Sequence, residues 1–456
     1  MRRPHASPPG SLLTTRRLVV AAVAATALTT ACSAPGSSAP EASEAPAPDA
    51  ISTEAPTEEV TLEFYTETGF PLPEKLADEF MTQYPNVTIE FRKDQFATLT
   101  QNAPRVMASD DAPDLIRLPT IVDSAKDGLL ADLDPYAAAY GWDQYSQGLL
   151  DQMRVSEDGV RGSGPLYAMG LGYNVTGVFY NKDLAEQVGM TEPPATVEEL
   201  EGYLADAEAA GIQPIQQFND IGGVNFPFQA LLNQYEDPQT IADWVFNAPG
   251  ADLDTPATVQ AGDTIADWGS KGYFPSDANA LSYTDMMGRF QDGEGLFMFN
   301  GDWESQNLAG SMGDTVGFFL MPPATAGDPY VAMSAPGTYA IPAKAEHVAE
   351  TAFFVNWVHT DEQARRIIVD ETGASPGGPT DLPIPEVPEG SVVAQTLQAT
   401  QDLADNGTAV DFTANATAGI YADTIKPGLQ RLITGRETGE EFASTLQADY
   451  EQDLGR

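Results

Sequence analysis

A strand-like alternation, a helix and a second alternation open the ordered part of this chain, and they narrow the choice of fold more than any other feature. Val60, Leu62 and Phe64 alternate with polar residues, the pattern of a strand with one buried face. Residues 73–84 then place Leu76 and Phe80 on one helical face, and Pro85-Asn86 stops that helix. Val87, Ile89 and Phe91 alternate again. Such a β-α-β start calls for a parallel sheet covered by helices. A third strand is expected over residues 114–118, ended by Pro119.

The alternation continues downstream. Residues 177–180 read as a strand running into a helix near Asn181. Thr196 and Glu199 form a capping box for a helix that Gly211 ends, and residues 212–216 then read as a strand. Further strands are expected at 296–299, broken at Gly301, and at 318–320. Thr360 with Gln363 reads as a second capping box, for a helix ending at Gly373. From Val392 onward the pattern is mostly helical.

The N-terminus has a different character. Arg2, Arg3, Arg16 and Arg17 precede an uncharged run from Leu18 to Ala27, too short to span a bilayer. Leu28-Thr29-Thr30-Ala31 leads to Cys32, the only cysteine. Residues 1–31 therefore read as an export signal, and Cys32 as the first mature residue and a lipid attachment site. Arg16-Arg17 leaves both the general and the twin-arginine export routes open. Residues 32–58, rich in Ala, Pro, Ser and Glu, read as a disordered tether.

Composition excludes several classes. The 456 residues hold 67 acidic and 22 basic side chains, a net charge of -45. Nucleic acid or an anionic membrane surface needs a basic patch, so neither is a partner. Hydrophobic residues make up 42%, enough for a sizeable core. Beyond His5 in the signal, the only histidines are His347 and His359, and no H-E-x-x-H occurs, so neither a metal nor another cofactor is expected. Gly373 to Gly377 matches the G-x-S-x-G pattern, but Pro376 lacks the N–H that an oxyanion hole takes from the residue after serine.

What remains is polar and aromatic residues at strand ends. Phe299-Asn300-Gly301-Asp302-Trp303 ends one strand, and Tyr65-Thr66-Glu67 ends the first. In open α/β sheets, ligands sit outside the carboxyl ends of strands. Trp and Tyr faces stack on the C–H face of a sugar, and Asp, Asn and Glu serve its hydroxyls. On spacing alone, Trp303 reads equally well as a core residue.

Taken together, the motifs resemble one family. Leu166-Tyr167-Ala168, Val178-Phe179-Tyr180-Asn181-Lys182-Asp183-Leu184 and Pro193-Pro194-Ala195-Thr196 form a series. Gly295 to Trp303, Gly337-Thr338-Tyr339-Ala340-Ile341 and Ala352-Phe353-Phe354-Val355-Asn356-Trp357 extend it. In this order they resemble the family 1 extracellular solute-binding proteins of ABC importers, which include the maltose-binding proteins. The resemblance implies an α/β, two-lobed periplasmic-binding-protein type II fold with a ligand cleft between the lobes. Residues 59–172 with 336–372 would form one lobe, and 173–335 with 373–456 the other. It also places ligand contacts at Tyr65, Thr66 and Glu67, at Thr120 and Asp123, at Tyr173 and Asn174, and at Asn225 and Phe226. Asp302, Trp303, Pro336 and Gly337 complete the set. Arg117-Leu118 stand where maltose binders often carry an aromatic, which speaks against maltose itself but not against sugars in general. Pocket residues vary most in this family, so the ligand does not carry over with the fold.

The reading is thus a monomeric, lipid-anchored binding protein for a sugar or oligosaccharide, partnered by a permease and performing no chemistry. Its rivals are a binder of a non-sugar solute such as a polyamine, phosphodiester or metal chelate, a secreted glycoside hydrolase with two carboxylates, and a surface adhesin.

Overall fold

The computed structural model describes residues 51–456 apart from Ser146. Cys32 and the signal lie outside the described residues.

The opening unit forms as the periodicity predicts. Strand β1 spans Val60–Glu67, a helix spans Leu72–Gln83, and β2 spans Val87–Asp94, parallel to β1 in register Val60 to Val87. Leu62, Phe64, Leu76 and Phe80 are wholly buried. Burying each such side chain contributes about 1.5–3 kcal/mol. Phe80 also meets Trp357 edge-on, with ring centroids 5.0 Å apart. β3, Leu115–Arg117, pairs with β1 in parallel. A hairpin follows, of β4, Arg154–Val155, and β5, Arg161–Leu166.

Two long strands organise the rest. β6 spans Ala168–Asn181, much longer than the four residues its sequence suggested. Nearly every residue of it is buried, so no alternation marks it. Phe297–Gly301 forms β7, Val316–Phe319 forms β8, Tyr330–Ala340 forms β9 and Gly407–Val410 forms β10. The main sheet runs β2-β1-β3-β9-β6-β7, with β8 also on β6 and β10 on β9. The first residues of β6 pair with Thr338, Tyr339 and Ala340 of β9, while its last residues pair with β7 and β8.

Buried side chains divide accordingly. One cluster draws on residues from Leu62 to Leu171 and again from Tyr339 to Ile368. Two others draw on Val175 to Val331 and on residues up to Tyr450. The chain therefore forms two lobes, and β6 and β9 cross between them. Helix Glu362–Thr372 touches both sides, giving Ile368 to the first cluster and Val369 to another.

At the crossing the register slips between Gly170 and Tyr173. Gly172 there has φ +139°, and a Cβ on it would lie 3.1 Å from Ile368 and 3.3 Å from the Ser375 carbonyl oxygen. A third segment lies alongside, because Tyr173 N–H donates to Ser375 O at 2.8 Å. His359 joins the same segments, its ring nitrogens 2.9 Å from Gly170 O and 3.0 Å from Pro376 O. Burial pushes its pKa down to about 4, against the pull of those two carbonyls.

Three local expectations need correction. Residues 212–216 make only a single bridge, Ile215 to Phe297, because Pro214 has no N–H to extend a ladder. Thr196 caps its helix by accepting from Glu199 N–H, but the Glu199 carboxylate reaches back to Ala195 N–H instead of Thr196. The helix expected to start after Thr360 is capped by Asp361, which accepts from Gln363 and Ala364 N–H. Thr360 closes the preceding helix, its hydroxyl donating to Asn356 O.

Candidate functional site

Strand directions decide where a ligand can sit. β9 runs into the first lobe and β3 is antiparallel to it, so β1 and β3 both end toward the crossing. β7 is antiparallel to β6 and ends opposite Thr176, on the other side of the crossing. Carboxyl ends from both lobes thus face one another along β6, whose stretch from Gly170 to Thr176 spans about 20 Å at strand rise. That is where an open α/β sheet binds its ligand.

In the second lobe the end of β7 builds an aromatic wall. The chain leaves Gly301 through a single tight turn, Asp302–Glu304. The Trp303 ring folds back over Gly301 so closely that a Cβ there would lie 1.9 Å from it. Only glycine permits this approach. Trp303 stays half-buried, 6.0 Å from the Phe226 ring. Phe226 in turn lies 6.3 Å from both Phe218 and Phe412. Phe226 and Phe412 are also half-buried, so the wall keeps an open side.

Asp302 behaves differently from its neighbour. It is wholly buried, and its Oδ2 accepts the Val175 N–H at 3.0 Å, tying the turn to β6. Its Oδ1 has no partner among the described residues, and burial raises its pKa well above the usual carboxylate value. The expected ligand contact at Asp302 is therefore not brought to the surface. Asn225 is buried too, with its Oδ1 unpartnered among the described residues.

The first lobe contributes charge. Glu67, at the end of β1, places Oε1 3.6 Å from Arg117 Nε at the end of β3. The Arg117 guanidinium lies 5.3 Å from the centre of the Phe96 ring and 5.7 Å from that of Tyr339. Its Nη1 donates to the carbonyls of Leu118 and Thr338. Phe96 is 40% exposed, an unusual position for a large apolar ring. Tyr65 and Thr66 are buried beneath this surface. The Tyr65 hydroxyl donates to Asp94 at 2.7 Å, and Arg92 lies over its ring at 4.5 Å. Burial, reinforced by Asp94, raises the Tyr65 pKa.

The other expected residues spread out. Thr120 is half-buried, and Asp123 is exposed on the short helix Val122–Lys126. Tyr173 is buried in the crossing and pairs in register with Pro336, and half-buried Asn174 pairs with Ala335 next to Gly337. Residue-by-residue reading missed Phe96, Tyr283, Glu304 and Phe412. Phe96 comes two positions after Asp94, the end of β2, and opens the next helix, so extending to β2 the strand-end rule that flagged Glu67 would also have found it. Tyr283 and Phe412 reach the wall from distant segments, and no local pattern marks them.

The model of the bacterial extracellular solute-binding proteins matches residues 66–365, well over half of the chain. The chain belongs to that family. No curated protein sequence matches this solute-binding protein. Solved structures do. A chitin oligosaccharide binding protein is 20% identical, with TM-score 0.67 over 84% of this chain and 95% of its own. The GacH receptor of Streptomyces glaucescens, solved unliganded and with acarbose, is 19% identical, with TM-score 0.68 over 88% and 99%. RafE, known from Streptococcus pneumoniae and solved in complex with raffinose, is 19% identical, with TM-score 0.67 over 86% and 99%. At such identities the likeness establishes the two-lobed fold of these receptors.

Proposed function

We propose that this solute-binding protein captures a sugar or oligosaccharide between its lobes and delivers it to the permease of an ABC importer. The observation that carries the reading is the half-open aromatic wall of Trp303, Phe226 and Phe412 beyond the end of β7 in one lobe, with the Glu67–Arg117 pair at the ends of β1 and β3 in the other. Aromatic faces take the C–H face of a sugar, and a carboxylate beside a guanidinium serves its hydroxyls. The chitin oligosaccharide, acarbose and raffinose binders of the same fold support that ligand class. A lobe of residues 59–172 with 336–372 would close on one of 173–335 with 373–456, the three crossing segments absorbing the rotation. The ligand favours closure because its contacts come from both sides.

Two carboxylates nearby argue against hydrolysis. Asp302 is buried, and Glu304 already accepts hydrogen bonds from Tyr283 and Asn307. We accordingly propose a receptor rather than a hydrolase, and one that acts as a monomer.

A thermal-shift panel tests the ligand class. A sugar present at a thousand times its Kd should stabilise the protein by about 4 kcal/mol. Maltotriose, raffinose and chitotriose serve as probes, with a polyamine and a glycerophosphodiester as non-sugar arms. Stabilisation by a non-sugar arm alone would overturn the sugar reading, and release of reducing ends from the oligosaccharides would overturn the receptor reading.

The extracytoplasmic, lipid-anchored location rests on Cys32 and its apolar leader. Cys32→Ala should move the protein from the membrane to the soluble fraction or the medium on fractionation. Equal membrane retention of both forms would refute lipidation.

A further inference from the structure

Tyr283 lies 20 positions before Trp303, on the helix Tyr283–Gln291, yet its hydroxyl closes the wall. Trp303 Nε1 donates to it at 3.1 Å and Asn300 Nδ2 donates at 3.1 Å. The hydroxyl donates its own proton to Glu304 Oε1 at 2.5 Å. A phenol has one proton and two lone pairs, and here all three are engaged. An indole N–H can only donate and a carboxylate only accept, so the direction of each bond follows from the chemistry. The Tyr283 ring is held in turn by Phe218, edge-on at 5.1 Å.

Trp303 is thus fixed on three sides: by Gly301 beneath, Phe226 alongside and Tyr283 at its polar edge. Its N–H is spent inside the protein and is not offered to a ligand. We propose that Tyr283 is the positioning residue of the binding wall, locking the Trp303 indole so that it presents only its ring face. The ligand chemistry this selects is a pyranose unit met through its C–H face. That choice of ligand rests on the receptor reading above, whereas the positioning of Trp303 does not.

The test separates the two. Trp303 emission is taken as the difference between a protein and its Trp303→Phe derivative, with no ligand present. In Tyr283→Phe this difference spectrum should move to longer wavelength and become more accessible to acrylamide, with melting almost unchanged. An unaltered difference spectrum would overturn the positioning role. If Tyr283→Phe fails to fold, Glu304→Ala, which removes the phenol's acceptor, is read in the same way.

Maltotriose and raffinose then report on the ligand. For whichever sugar binds, Tyr283→Phe should raise Kd about tenfold in the native background and hardly at all on the Trp303→Phe background. Equal weakening in both backgrounds would show a general structural effect and overturn the proposal. Absence of binding by either sugar, together with an emission shift, would remove the pyranose assignment and leave the positioning role standing.

Discussion

Asp411→Ala is expected to cost about 3–5 kcal/mol of folding stability, the range for breaking a buried ion pair from one side. Arg161 Nη2 meets Asp411 Oδ2 at 2.5 Å, and both side chains are at most 4% exposed. The guanidinium also donates from Nε and Nη2 to Gln152 O, and it lies 4.8 Å from the Phe246 ring centre. Its Nη1 has no partner among the described residues. Asp411 Oδ1 accepts from Phe412 N–H and Asn415 Nδ2. Removing the carboxylate therefore strands a cation away from water and frees the turn that carries Phe412 of the wall. The pair also ties the β4–β5 hairpin to the segment after β10, so its loss loosens two parts of the chain together. Urea unfolding followed by circular dichroism measures the cost. Replacing both partners, with Arg161→Met and Asp411→Leu, should recover most of it, since the desolvation penalty disappears with the charges. A single variant as stable as the native protein would show that the pair contributes nothing.

Trp303→Ala should weaken sugar binding by about 2 kcal/mol or more, as loss of an aromatic anchor does. That corresponds to roughly thirty-fold in Kd. The fold should persist, because the ring is only half-buried and rests on Gly301 rather than within a closed core. Titration calorimetry with a sugar that stabilises the native protein gives the binding loss, and a melting curve gives the stability. Early melting with unaltered affinity would make Trp303 a core residue after all.

The β-α-β opening was legible in the chain because its strands have one buried and one exposed face. Leu62, Phe64, Val87 and Ile89 therefore repeat every second residue. β6 escaped that reading over most of its length, since a strand buried on both faces shows no period. Thr360 and Asp361 both carry capping side chains, and local pattern could not choose between them. The preceding helix took Thr360 as its last residue and left Asp361 as the cap.

The site divides in the same way. The proposal of a ligand near Glu67 and near the Asn300 to Trp303 turn starts from strand ends, which periodicity marks along the chain. Which of Asp302 and Trp303 faces outward does not, because adjacent residues in a tight turn differ only in what packs against them. Val175 draws the Asp302 carboxylate inward, and Gly301 gives the Trp303 ring its seat. Tyr283, Phe412 and Phe96 join them through contacts from other elements. Local periodicity and capping are properties of neighbours in the chain, so the sequence by itself determined most of the elements, while the order of its motifs pointed to the family. Side-chain exposure and hydrogen-bond partners are properties of neighbours in space, so only the tertiary structure decided which residues form the wall and which lie beneath it.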